Sequence, residues 1–144
     1  MSMQAFRSLP YGHVAGASAT ATVLGSLIFG TLFEICRGRP VVESPGWGLM
    51  YILGAVVFFP HVLLGIWVLT SAIALGLLKL GLARAAMCAA IGLLMSWAFQ
   101  TLLYSGLYVG EVSKSQAMVC SMLAGIASGL MLWGFLAFRL KVRS

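Results

Sequence analysis

Charged side chains are scarce in this sequence. Asp, Glu, Lys and Arg make up 8% of it, against roughly 25% in an ordinary soluble domain. The only acids are Glu34, Glu43 and Glu111, while 61% of the residues are hydrophobic. A soluble domain of about 150 residues leaves roughly 30% of its chain surface exposed to water, and this composition cannot cover such a surface with polar groups. The natural solvent is a lipid bilayer. The stretches between apolar segments are too short for an extramembrane module, so residues 1–144 read as a single integral membrane domain.

Other absences exclude chemistry. No Cys-x-x-Cys occurs, which disfavours a thiol redox enzyme. No paired carboxylates and no carboxylate-backed Ser–His array fall within an apolar segment. No Gly-rich phosphate loop follows a strand. The net charge of +6 is spread over segment ends and forms no recognition patch, so nucleic acid is not an expected partner. Haem held by His61 needs a second axial ligand at matching depth. His13 lies near the membrane surface, and scattered methionines are a poor substitute. Neither a cofactor nor a metal is expected, and the chain reads as a non-enzyme.

What is present is four apolar segments, about 14–35, 48–79, 85–109 and 117–139. A helix needs about 20 apolar residues to cross the hydrocarbon core. The expected fold is all-α: a polytopic membrane protein with four transmembrane helices in a compact antiparallel bundle. Arg7 precedes an apolar stretch longer than a signal-peptide core of about 7–15 residues, so the first segment is expected to be a retained span. The second is too long for a straight crossing of a core about 30 Å thick, and Pro60 is expected to kink it by removing a helix hydrogen bond.

Orientation follows from Lys and Arg. Four crossings put Arg7, Lys79, Arg84, Arg139, Lys141 and Arg143 on one side. Arg37, Arg39, Lys114 and every glutamate fall on the other. All of the net charge of +6 therefore sits on one face. Both termini are expected in the cytoplasm, and a bacterial inner membrane is the expected location. Trp47, Tyr104 and Tyr108 then mark the outer interface, and Tyr11 and Trp133 the inner one, as an aromatic belt.

Three constellations stand out. Small and hydroxylic residues recur every fourth position in spans one, three and four, a spacing that stacks them on one helix face. Such lines admit close backbone approach and hydrogen bonds across helices. In span four the line Ser121, Gly125, Gly129 is a candidate helix-docking face. His61, Gln100, Ser96 and Tyr104 form a candidate polar intramembrane site. An imidazole in hydrocarbon carries an N–H that needs an acceptor, and Gln100 is the expected partner at similar depth, making a polar staple at a proline kink. At the outer end Glu34 is expected to pair with Lys114 or Arg37. Cys36 and Cys120 both fall near the outer surface, where an oxidising compartment would allow a disulfide between spans one and four.

These features support a protein that acts through intramembrane helix contacts, such as an accessory subunit or an immunity-type protein against a membrane-inserting toxin. Its partners would be the bilayer and another membrane protein or a second copy of itself. The alternative is a small homo-oligomeric channel or transporter with His61 and Gln100 in its path.

Overall fold

A computed structural model describes residues 9–58, 60–107 and 112–143; at 55, 62, 99, 102–107 and 139–143 it describes the backbone alone. The described residues are helical, with short turns and no strand. In chain order the helices are α1 (Tyr11–Cys36), α2 (Ser44–Phe58), α3 (Pro60–Leu80), α4 (Ala85–Leu107) and α5 (Lys114–Arg143). Three segments are long and apolar enough to cross a membrane: Tyr11–Cys36, Leu63–Leu80 and Lys114–Phe138. Ser44–Phe58 and Ala85–Ala98 are shorter apolar helices. The kink expected at Pro60 turns on residue 59, which lies outside the described residues, as do Arg7, Tyr108 and Glu111.

The helix ends are written in the local sequence. Gly38 (φ 83°) and Gly81 (φ 70°) follow α1 and α3 in the left-handed region that glycine enters without steric cost. Both ends close the same way. Gly81 N–H donates to Leu78 O at 3.1 Å and Leu82 N–H to Leu77 O at 2.9 Å. Gly38 N–H donates to Ile35 O at 2.9 Å and Arg39 N–H to Glu34 O at 3.1 Å. These are Schellman turns, which satisfy carbonyls otherwise left open at a helix C-terminus. At the start of α5, Gln116 N–H donates to Ser113 Oγ at 3.3 Å and Ser113 N–H donates to Gln116 Oε1 at 3.1 Å. This reciprocal capping box satisfies two backbone donors at once.

The helices pack as a row. α1 lies in the middle, with α2 and α3 on one side and α5 on the other, and α4 packs on α5. Among the described residues α4 makes no helix-to-helix contact with α2 or α3, so these helices do not lie side by side as the closed bundle expected from the sequence requires. They share only side-chain packing at the end that carries Lys79 and Arg84, where Val14, Ala74, Leu77, Leu78, Cys88 and Leu136 form a buried cluster.

Small residues set this order. At Gly30 an added Cβ would stand 2.8 Å from the Cα of Gly48, so α1 and α2 touch backbone to backbone. At Gly25 it would stand 2.8 Å from the Cβ of Ser128 on α5. Ser128 Oγ also donates across the helix pair to Ala21 O at 2.8 Å. Trp67 Nε1 on α3 donates to Ala15 O on α1 at 2.9 Å. The hydroxyl line of α1 does something else. Thr22, Ser26 and Thr31 each donate to the carbonyl four residues back in their own helix, at 2.8–2.9 Å. These three hydroxyls are thus satisfied locally, whereas Ser18 Oγ, on the same line as Thr22 and Ser26, is buried without a hydrogen-bond partner among the described residues.

Candidate functional site

The ridge Ser121, Gly125, Gly129 is a docking face, and the helix it docks belongs to the same chain. An added Cβ at Gly125 would lie 2.3 Å from Gly92 O and 2.2 Å from Ser96 Oγ. At Gly129 it would lie 2.1 Å from Cys88 O, and at Gly92 it would lie 2.0 Å from Gly125 O. Real Cβ atoms do not approach below 3.0 Å, so only glycine fits. Two polar contacts extend the seam: Ser121 Oγ donates to Ser96 O at 3.3 Å, and Gln100 Nε2 donates to Ala117 O at 3.2 Å. The partners run in register. Positions 88, 92, 96 and 100 on α4 face 129, 125, 121 and 117 on α5, four residues up one helix for four down the other. The spacing was visible in the sequence; that α4 carries the complementary line was visible too, in Gly92, Ser96 and Gln100. What the spacing did not reveal is that the two lines meet each other and leave no ridge for an outside helix.

This pairing also decides the polar site. Gln100 is buried in the α4–α5 seam. His61 lies on the exposed surface of α3 and has no hydrogen-bond partner among the described residues. The expected His61–Gln100 staple is therefore not made: α3 packs on α1, α4 packs on α5, and the two side chains look into different environments. The face of α3 that packs inward carries Trp67, Ala74, Leu77 and Leu78. At 100° per residue the outward face of α3 carries His61, Gly65, Val68 and Ala72, all exposed. Ser96 sits in the seam beside Gly125. The side chain of Tyr104 lies outside the description.

Glu34 is the second feature. It is fully buried, at 0% exposure, and is not joined to Lys114, which is exposed at the start of α5. Tyr51 Oη donates to Glu34 Oε1 at 2.6 Å, and Arg37 Nη1 donates to the same oxygen at 3.2 Å. Arg39 forms an ion pair with Oε2 and lies over the Trp47 ring at 4.0 Å. The Schellman turn explains the choice. It brings the third residue past the helix back over the third from its end, here Arg39 over Glu34, while Lys114 is carried on another helix. The Glu-Ile-Cys-Arg-Gly-Arg run was the available signal. Tyr51 had none, because its approach depends on the Gly30–Gly48 contact. The guanidinium of Arg37, outside the spans, is held above its ordinary pKa by its hydrogen bond to Tyr51 and by the Glu34 carboxylate.

The cluster holds two cations, one anion, a phenol and an indole, all engaged with one another. It ties the turn after α1 to α2. Among the described residues no group of His, Cys, Asp and Glu is arranged to hold a metal ion. Cys36 and Cys120 are brought together, with Sγ atoms 3.4 Å apart. No protein-family model, no curated protein and no solved structure matches this chain.

Proposed function

We propose that this chain is a non-catalytic, four-span membrane protein of the bacterial inner membrane, with both termini in the cytoplasm. It acts by docking the outward face of its second span against another membrane protein, as an accessory subunit or an immunity-type protein would. The single observation that carries this reading is the place of His61. It is the second residue of α3, two positions ahead of the apolar segment Leu63–Leu80, on an exposed stripe, with no acceptor for its N–H among the described residues. A polar group left unpaired in hydrocarbon costs several kcal/mol, about 4–8 on a water-to-cyclohexane scale. A partner helix that supplies a hydrogen bond removes that cost, and Gly65 one turn further on allows it close approach. The Ser121–Gly125–Gly129 ridge does not serve this role, since α4 already fills it.

The test is purification from the native membrane in mild detergent, with a photo-crosslinker at Val68 or Leu64. A distinct larger membrane protein, cross-linked from this face and lost on His61→Ala, supports the reading. A pure homo-oligomer that conducts in liposomes, with flux abolished by His61→Ala, replaces it with the channel reading. A protein whose stability and complexes are indifferent to His61→Ala refutes both.

A further inference from the structure

Two sulfur atoms meet at the outer end of the row. Cys36 ends α1 and is exposed; Cys120 lies on the second turn of α5 and is buried. Their Sγ atoms are 3.4 Å apart, so little more than an ångström separates them from the S–S bonding distance of about 2.05 Å. The backbone is already fixed beside them. Phe33, Val112 and Ala117, one turn away on either helix and in the preceding loop, form a buried apolar cluster. The Glu34 carboxylate, held by Arg37, Arg39 and Tyr51, anchors the same end of α1. The third cysteine, Cys88, lies buried in the cluster at the opposite end of the row and cannot compete.

We propose that Cys36 and Cys120 are a reversible dithiol–disulfide pair, with Cys36 as the attacking thiol and Cys120 as the resolving one. The difference in exposure sets the order. The co-reactant is a disulfide, either a small molecule or the disulfide of a thiol oxidoreductase. The Cys36 thiolate attacks one sulfur of that disulfide, forms a mixed disulfide and expels a thiolate, which takes up a proton. Cys120 then loses its proton and attacks the Cys36 sulfur, expelling the second thiolate. The protein dithiol is oxidised, the external disulfide is reduced to two thiols, and the α1–α5 contact becomes covalent. Exchange of this kind requires an accessible thiolate and a nearby second thiol. In the orientation proposed above, the pair faces the oxidising side of the membrane, where disulfides persist. The chemistry itself does not depend on that orientation or on the identity of the docking partner.

The experiment uses the full chain in detergent, exposed to oxidised glutathione and then alkylated after denaturation. The expected product is an intramolecular Cys36–Cys120 peptide cross-link, an intact mass lower by two hydrogens, and a Cys88 that alkylates only after denaturation. Cys120→Ser is expected to trap glutathione on Cys36, whereas Cys36→Ser leaves Cys120 largely unmodified. Native-state protection of Cys88 reports that each variant is folded. The proposal is overturned if Cys36 and Cys120 stay fully alkylatable after oxidation, if the bond forms between two copies, or if glutathione marks Cys120 as readily as Cys36. The orientation is tested separately: a disulfide that forms in detergent but never in intact cells leaves the dithiol chemistry standing and removes the oxidising-side placement.

Discussion

The α4–α5 seam gives the sharpest energetic expectation. Replacing Gly92 by Ala places a methyl 2.0 Å from Gly125 O, where ordinary contact begins at 3.4 Å. The shortfall of about 1.4 Å falls on backbone, which cannot rotate aside, so the helices must separate. A gap of even 0.5–1 Å forfeits a quarter to a half of each dispersion contact, and overpacking a tight interface costs about 1–3 kcal/mol. Separation also stretches the Ser121–Ser96 and Gln100–Ala117 hydrogen bonds. Against this, Ala is favoured over Gly in a helix by about 1 kcal/mol. Gly76→Ala isolates that second effect, because nothing lies within 4 Å of a Cβ there. The propensity gain is common to both variants, so we expect Gly92→Ala to be less stable than Gly76→Ala by the overpacking cost alone, about 1–3 kcal/mol. The assay is reversible unfolding in mixed micelles with increasing SDS, followed by a fluorophore pair across α4 and α5. The double variant Gly92→Ala/Gly129→Ala should lose less than the sum of the singles, because the first substitution already parts the helices. Equal stability of Gly92→Ala and Gly76→Ala would refute the backbone-contact argument.

Three further outcomes follow from the Glu34 cluster. Tyr51→Phe keeps the ring and removes the donor to Glu34 Oε1; it should cost about 1.5–3 kcal/mol, the range for a hydrogen bond to a charged group, in the same unfolding assay. Gly38→Ala forces a Cβ into the left-handed region and should cost about 1–2 kcal/mol, visible as faster proteolysis of the 37–43 turn, whereas Gly46→Ala, with open space around it, should not. Arg39→Lys retains the charge but loses planar stacking on Trp47, with a loss of about 0.5–1 kcal/mol and a change in Trp47 emission; unchanged emission would show that the stacking is not maintained in solution.

Much of the architecture was legible in composition. Scarce charge and long apolar runs give apolar helices without further information, because in hydrocarbon the backbone must satisfy its own hydrogen bonds. Helix ends were legible where chemistry is local: Gly38, Gly81 and the Ser113–Gln116 box act within a few residues. The candidate sites were less legible. Gln100 and His61 stand at similar depth, and depth alone suggested a contact. Glu34 and Lys114 were expected on the same side of the membrane with opposite charge, which suggested a pair.

The His61–Gln100 contact and the Glu34–Lys114 pair are not made for one reason: sequence gives the height of a residue along a helix but not which helix stands beside it. The other expected partner of Glu34, Arg37, does pair with it, because it lies three residues on in the same turn. By itself the chain determined its solvent, its helices, their ends and the faces carrying small residues. Only tertiary packing decided that α4 fills the ridge on α5 and that α1 separates α3 from that pair. The order of the row is set by backbone close approach at Gly30, Gly25, Gly92 and Gly125, a shape match between distant segments that no single segment encodes. That match leaves His61 on the outside and puts Cys36 beside Cys120.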